Sequence, residues 1–187
     1  AAYLVIVSPG DRLSNHHPDE IIWQIEEAQF DQKEAIMEVM GAIKTRRSVR
    51  KYKTTPVRKE DLEAVLEAAR WAPSWGNTQC WRFIVVQAPA MKDKLAETLR
   101  SGNPATSAIR EAPVVIVACA ELGKSGIYRG QASTSKGDWY MFDTGLAMQN
   151  LVLAAHSLGL GTVHVGAFDD KKAAEILGVP DGFALVE

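Results

Sequence analysis

The sequence has few cysteines, no long apolar run and no excess of charge, and each absence excludes a class of protein. Its 187 residues contain two cysteines, Cys80 and Cys119, too few for a disulfide framework. No apolar stretch reaches the roughly 20 residues of a membrane span, and the start lacks the basic region of a signal peptide. A net charge of -2 argues against a nucleic-acid surface, which is strongly basic. These absences predict a single-domain cytoplasmic protein with reduced cysteines.

Common metal and nucleotide motifs are missing as well. His16 and His17 are adjacent and cannot face one metal from a regular helix or strand. Segment 159–164 has two glycines of a dinucleotide fingerprint, but it lacks the third and follows a helix. His156 lies in an apolar helix, where a packed histidine is more common than a base. The sequence therefore predicts no metal site and no catalytic side chain.

The hydrophobic pattern predicts an α+β domain with helices and short strands. The predicted helices are a stretch from Asp19 to about Asp31, then 33–45, 59–71, 89–99, 138–158 and 169–177; the predicted strands are 3–7, 83–87, 113–119, 162–165 and one from 184. Residues 101–108 and 123–137 are predicted loops, and the second is long enough to be functional or disordered. Helix 138–158 is apolar over most of its circumference, which predicts burial in a core or subunit interface.

A basic cluster occupies residues 46–52, which read Arg-Arg-Ser-Val-Arg-Lys-Tyr. Guanidinium groups match phosphate oxygens with two parallel donors, and a serine hydroxyl adds a third. The cluster therefore suits a phosphate. A solvated basic turn is the alternative, because charge runs are common and unspecific.

A second polar stretch, residues 72–83, reads Ala-Pro-Ser-Trp-Gly-Asn-Thr-Gln-Cys-Trp-Arg-Phe and runs into a strand. Its proline and glycine set the backbone, while Ser74, Asn77 and Gln79 offer hydrogen bonds. An ordinary loop with two tryptophans as packing anchors is the alternative interpretation.

Together the two stretches resemble the nitroreductase-like flavoprotein family. That family pairs Arg-Arg-Ser-x-Arg-x-Tyr/Phe with Pro-Ser-x-x-Asn-x-Gln-x-Trp-x-Phe in this order and at this spacing. The resemblance runs from Gly41 to Val186 and includes segments 138–145, 149–155, 159–162 and 166–168. It implies a three-layer α+β sandwich with a mainly antiparallel central sheet, helices on both faces, and an intertwined homodimer.

The resemblance also implies a cofactor, FMN, bound at the dimer interface and reduced by NADH or NADPH. By motif position, the groups at the FMN phosphate would be Arg46, Arg47, Ser48 and Arg50. The flavin would be lined by Pro73, Ser74, Trp75, Asn77 and Gln79 of the other subunit, and by the backbone of Val165 and Gly166. Tyr128 and Arg129 are candidate substrate contacts in the polar loop.

The function implied by the resemblance is an FMN-dependent NAD(P)H oxidoreductase. It would reduce a nitroaromatic, a quinone or a similar small acceptor in a ping-pong reaction, with the chemistry carried by FMN. Two alternatives stay open. One is a flavin-binding carrier or sensor without turnover, and the other is a specialised relative such as a reductive dehalogenase or a flavin-fragmenting enzyme.

The N-terminal residues depart from the family pattern. We expect a single domain, 1–187, in which residues 1–36 form an N-terminal strand and helix arm and residues 37–187 form a flavin-binding core. Residues 3–10 resemble the strand and turn that the family places after its Leu185 strand, and the following residues resemble its C-terminal arm. One hypothesis is a circularly permuted order that brings Arg12 to the FMN phosphate. The alternative is an unrelated N-terminal extension.

Overall fold

The computed structural model describes the strand at residues 4–6 and residues 37–187. The strands are β1 (Leu4–Ile6), β2 (Trp81–Val86), β3 (Val114–Glu121), β4 (Ile127–Tyr128), β5 (Gln131–Ala132) and β6 (Phe183–Leu185). The helices are α1 (Val39–Thr45), α2 (Lys59–Arg70), α3 (Pro89–Ala96), α4 (Thr106–Glu111), α5 (Tyr140–Ser157) and α6 (Asp170–Leu177). None of the helices in these ranges has the length and apolarity that spanning a bilayer requires.

The sheet is organised around β3, an apolar strand in which all residues but the last are buried. β2 pairs antiparallel with one side of β3, from Trp81 opposite Ala120 to Val86 opposite Val115. β6 pairs antiparallel with the other side, where Leu185 lies opposite Cys119. An uninterrupted apolar run is typical of a strand covered on both faces, and this was the expectation for residues 113–119.

β1 lies on the same side of β3 as β6 and runs in the same direction. It places Leu4 opposite Ile116 and Ile6 opposite Val114, so it covers the half of β3 that β6 leaves open. This pairing agrees with the expectation that the first strand follows the Leu185 strand in the sheet. Arg12 and the predicted helix from Asp19 lie outside the described residues, so the rest of the permutation hypothesis stays a prediction.

Side chains of β3 alternate between two cores, one on each face of the sheet. Val115, Val117 and Cys119 pack with residues of α3, α4 and α6. Val114, Ile116 and Ala118 pack with residues of α2 and α5. The protein is thus an α+β sandwich of three layers, as the resemblance implied.

Several predicted elements differ from the structure. Residues 37–38 belong to the predicted helix 33–45 but are not helical, and α1 begins at Val39. Segment 162–165 was predicted as a strand, and it instead forms an isolated bridge at Thr162. Helix α4 was missed, since its six residues lie across the end of the predicted loop 101–108. Short helices carry too few turns to show a periodic pattern.

The long loop departs from its prediction, and the long helix is covered only in part within one chain. Met141 and Phe142 on α5 are exposed, so the core of one chain does not bury α5 on all sides, and its burial in a subunit interface stays a prediction. The 123–137 segment contains the β4–β5 hairpin, which was predicted as irregular. Its tip residues Arg129 and Gly130 both have positive φ, the backbone of a type I′ hairpin turn. Sequence reasoning missed it because arginine is unusual at such a position.

Candidate functional site

The basic cluster follows the end of α1 and includes an arginine with a buried, unpaired donor. The side-chain nitrogen Nη1 of Arg46 is inaccessible to solvent and has no hydrogen-bond partner among the described residues. A guanidinium N–H without a partner is costly, because its solvation is lost and not replaced. Ser48 and Arg50 are exposed beside it in sequence. This cluster therefore suits an anionic group that can accept from Arg46.

Arg47 uses part of its guanidinium within the protein. Its Nη1 donates to the carbonyl oxygens of Lys44 at 2.8 Å and Arg46 at 2.9 Å. These carbonyls belong to the end of α1, where the last helical carbonyls lack intrahelical partners. Arg47 thus caps α1 and fixes the direction in which the cluster leaves it.

Residues 48–49 lie beside the segment that follows α5. The backbone N–H of Val49 donates to the carbonyl of Thr162 at 2.9 Å, and Ser48 forms a parallel bridge with Thr162. At Gly161, an added Cβ would lie 3.1 Å from Val49 Cβ, a tight contact that would require Val49 to shift by a few tenths of an ångström. The contact brings the basic cluster next to the strand-like segment that carries Val165 and Gly166.

Val165 and Gly166 have different surroundings. The side chain of Val165 is buried in the core with β3, whereas Gly166 is exposed. Buried Val165 anchors the segment, and Gly166, which has no side chain, leaves its backbone accessible. Tyr52 closes the other side of the cluster, donating from its hydroxyl to the Val49 carbonyl at 2.5 Å. Burial raises the pKa of Tyr52, which favours the protonated donor.

The second predicted stretch forms a tight turn between α2 and β2. Residues Trp75–Asn77 make one 3₁₀ turn, and Gly76, Asn77 and Gln79 have positive φ. Positive φ is uncommon for residues with a Cβ, and such residues cluster at functional sites. The Ser74 hydroxyl oxygen accepts from the Gln79 backbone N–H at 3.0 Å and closes the turn. Pro73, Asn77 and Gln79 are exposed, so their side chains are accessible at the protein surface.

Asp143 fixes this turn to α5. It is 1% exposed, and its Oδ2 accepts from the Trp75 backbone N–H at 3.0 Å and the Ser125 hydroxyl at 2.5 Å. Ser125 is fully buried at the base of the hairpin. A buried carboxylate is stable when hydrogen bonds replace its solvation. One oxygen atom therefore links the 73–79 turn, α5 and the β4–β5 hairpin.

An aromatic cluster lies at the same place. The rings of Trp75 and Trp139 have centroids 5.1 Å apart and are tilted by 45°, and Phe142 meets Trp139 edge-on at 5.5 Å. Lys136 Nζ lies 5.2 Å from the centre of the Trp139 ring. At the hairpin tip, the guanidinium of Arg129 lies 5.2 Å from the centre of the exposed Tyr128 ring.

Two groups of predicted site residues thus have well-defined places, but they form separate clusters. Arg46, Ser48 and Arg50 lie with segment 161–166, whereas the 73–79 turn lies with α5 and the hairpin. Within residues 37–187, no hydrogen bond or ion pair joins the two clusters. Arg12 lies outside the described residues. Within the described part of the chain, no group of His, Cys, Asp or Glu side chains could hold a metal ion.

Sequence reasoning placed Trp139 and Asp143 in segment 138–145 of the resemblance without giving either a role, and it did not name Ser125 or Lys136. For Asp143 a signal existed, since a carboxylate inside an apolar helix is costly unless it has partners. The other three are ordinary residues of a polar segment, and only the fold brings them to Trp75.

The three-layer sandwich, the basic cluster beside segment 161–166 and the polar turn before β2 define the class to which the protein belongs. The sequence profile of the Nitroreductase family matches residues 43–186. The chain therefore belongs to the nitroreductase family of oxidoreductases.

Relatives and solved structures are similar over most of the chain. A putative NADH dehydrogenase/NAD(P)H nitroreductase of Methanothermobacter thermautotrophicus is 38% identical over 139 residues, 74% of this chain and 66% of the relative. An FMN reductase [NAD(P)H] of Bacillus subtilis is 34% identical, with 76% and 60% of the two chains covered. A nitroreductase family protein from Clostridium novyi has a similar structure, with a TM-score of 0.72, 33% identity, and 80% and 81% covered.

One further relative bears a different name. A 5,6-dimethylbenzimidazole synthase of Rhodospirillum rubrum is 31% identical over 159 residues, which cover 75% of this chain and 74% of the relative. Family membership therefore leaves the reaction of this chain to be proposed on other grounds.

Proposed function

We propose that the protein is an FMN-dependent oxidoreductase that uses NADH or NADPH to reduce a small nitroaromatic or quinone acceptor. The observation that carries this proposal is the buried, unpaired Nη1 of Arg46 in the basic cluster of a nitroreductase-family chain. A phosphate oxygen would complete the hydrogen bonding of that nitrogen. The names of the FMN reductase and NAD(P)H nitroreductase relatives support the choice of cofactor and reductant.

In this proposal, the basic cluster holds the phosphate and the polar turn lines the flavin ring. Arg46, Ser48 and Arg50 bind the phosphate, while Arg47 Nη1 caps α1. The exposed backbone of Gly166 lies against the ring, since no side chain prevents a close approach. The ring is lined on its other side by Pro73, Ser74, Trp75, Asn77 and Gln79. The chemistry that FMN supplies when bound is two-electron transfer from NAD(P)H to the acceptor.

A homodimer is part of the proposal, because no hydrogen bond or ion pair joins the two clusters within the described residues and apolar side chains are exposed. On α1, Val39, Met40 and Ile43 are 65%, 49% and 49% exposed, and on α5 Met141 and Phe142 are 51% and 57% exposed. Large exposed apolar patches mark interaction surfaces. A second copy that covers this surface would bring the 73–79 turn of one subunit to the basic cluster of the other.

The first test is cofactor binding followed by turnover. The purified protein is incubated with FMN, freed of excess flavin and examined for a flavin spectrum that NADH or NADPH bleaches and an acceptor restores. Protein that stays colourless after this treatment would exclude the proposal. Light scattering gives the mass, and a monomer that retains FMN would contradict the shared site.

A second candidate function is a specialised flavin reaction, which the 5,6-dimethylbenzimidazole synthase relative favours. This second function predicts that the bound, reduced flavin is consumed under oxygen, whereas an oxidoreductase regenerates its flavin in each turnover. Chromatography of the flavin after repeated turnover separates the two. A carrier or sensor would bind FMN and show no sustained oxidation of NAD(P)H.

A further inference from the structure

We propose that Trp75, Trp139 and Lys136 form an acceptor subsite that selects planar aromatic molecules carrying a negative charge. This inference rests on the proposed function and names the class of acceptor. Trp75 belongs to the turn that would line the flavin, so a molecule on this surface would lie beside the cofactor.

The two indoles give the subsite a fixed apolar surface. Two hydrogen bonds hold Trp139 in place. Its indole N–H donates to the Thr134 hydroxyl at 3.0 Å, and its backbone N–H donates to the Ser125 carbonyl at 2.9 Å. The Trp75 backbone is held by Asp143. Trp75 remains 37% exposed beside Trp139, so a flat ring has room to stack on it.

The positive charge of the subsite comes from the ammonium group of Lys136. Lys136 is exposed, lies over the Trp139 ring, and forms no ion pair within the described residues. Segment 122–137 has three basic residues and no acidic one; Lys124 pairs with Glu121 at 3.1 Å. The neighbouring Asp138 accepts from the backbone N–H groups of Gly123 and Tyr140. An anionic substituent on a stacked ring would therefore meet a free ammonium group.

A matched pair of acceptors tests this selectivity. 4-Nitrobenzoate and 4-nitrobenzamide have similar shapes and differ by one negative charge. Each nitro group takes a hydride from NAD(P)H and a proton from solvent, and loses one oxygen as water to give the nitroso compound. The flavin-loaded enzyme is assayed with both, using wild type, Lys136→Gln, Lys136→Arg and the remote control Lys171→Gln on α6.

The expected result is a change confined to the charged acceptor. Lys136→Gln raises KM for 4-nitrobenzoate by about two- to fivefold, within the range of an ion pair at an exposed site. KM for 4-nitrobenzamide and kcat stay constant, Lys136→Arg restores the wild-type values, and Lys171→Gln has no effect. Equal effects on both acceptors, no effect, or an effect on KM for NAD(P)H alone would overturn the subsite.

A binding measurement without turnover separates this inference from the proposed function, and a further variant tests which cation is responsible. Quenching of tryptophan fluorescence gives the dissociation constants of both nitro compounds without turnover. Selective weakening of 4-nitrobenzoate binding in Lys136→Gln supports the subsite even if neither compound is reduced, and such inactivity would count against the proposed function alone. Arg129→Gln tests the hairpin tip, and a charge-selective effect there without one at Lys136 would overturn the assignment.

Discussion

The Oδ2 atom of Asp143 lies 3.0 Å from the backbone nitrogen of Trp75, a residue 68 positions earlier in the chain. The same atom accepts a hydrogen bond from Ser125, so a helix, a turn and a hairpin share one acceptor. The turn carries three residues with positive φ in five positions, a backbone that surrounding contacts must hold. Asp143 supplies the contact that joins this turn to the core.

Replacing Asp143 should therefore affect both stability and cofactor binding. We expect Asp143→Asn to lower the free energy of unfolding by about 1.5–3 kcal/mol, the value of a hydrogen bond to a charged group. FMN affinity should fall as well, because the turn that would line the flavin is released. Urea denaturation and flavin titration measure the two effects. Asp181→Asn, a change at an exposed carboxylate, is the control and should alter neither.

The link between Asp143 and Ser125 can be measured directly by a double-mutant cycle. Ser125→Ala should destabilise wild type but have a much smaller effect when Asp143 is already Asn. Additive effects in the cycle would show that the shared acceptor does not couple the hairpin to the turn.

Loss of the Arg46 side chain should weaken FMN binding. Arg46→Ala removes the buried, unpaired donor, and we expect a loss of about 1.5–3 kcal/mol in binding free energy, as for a charge-assisted hydrogen bond. Arg50→Ala should act in the same direction. Flavin fluorescence titration measures both, with Lys171→Ala as a matched loss of charge. Unchanged affinity in both arginine variants would identify the cluster as a solvated turn.

Gly126 and Gly130 provide a matched pair for testing whether the close contact between the hairpin and the Trp139 ring affects function. Both have positive φ, but a Cβ at Gly126 would lie 2.5 Å from Trp139 Cδ1, whereas a Cβ at Gly130 meets nothing within 4 Å. We expect Gly126→Ala to displace Trp139 and raise KM for acceptors, with FMN affinity retained. Gly130→Ala bears the backbone strain alone and should change KM little. Equal effects would show that the contact with Trp139 is unimportant.

The two cysteines predict a decline in stability at alkaline pH. Burial raises the pKa of both thiols from 9.0 to about 11, and for Cys80 the carboxylate of Asp143 adds to this effect. Between these values the unfolded chain loses thiol protons that the folded chain keeps, so unfolding becomes easier as pH rises. The slope is at most about 1.4 kcal/mol per pH unit for each thiol.

Denaturation of wild type and of a Cys80→Ala, Cys119→Ala variant across this pH range measures that decline. The variant should lose less stability between neutral and alkaline pH, whatever its stability at neutral pH. Tyr52, whose pKa is also raised by burial, contributes equally to both proteins. Parallel curves would show that the thiols do not account for the decline.

The sequence correctly predicted those elements whose hydrophobic or charge pattern matches the way they are buried in the fold. The buried strand β3, the amphipathic α2 and the basic cluster after α1 all carried their pattern within a few consecutive residues. Helix α4 was too short for a pattern, and the exposed end of α5 depends on which face the sheet covers. The Asp143–Ser125–Trp75 contacts join residues distant in sequence, so they could not be predicted without the topology.

The segment between β3 and α5 closes on itself at its base. The backbone N–H of Gly123 donates to Oδ2 of Asp138 at 2.6 Å, and that of Trp139 donates to the Ser125 carbonyl. The hairpin tip lies beyond this closure, and a Cβ added at Gly130 would meet nothing within 4 Å, so we expect changes at the tip to leave β3 and α5 in place. Selection could therefore exchange the hairpin tip between related proteins as a unit, altering the surface that this segment presents while the three-layer sandwich is inherited intact.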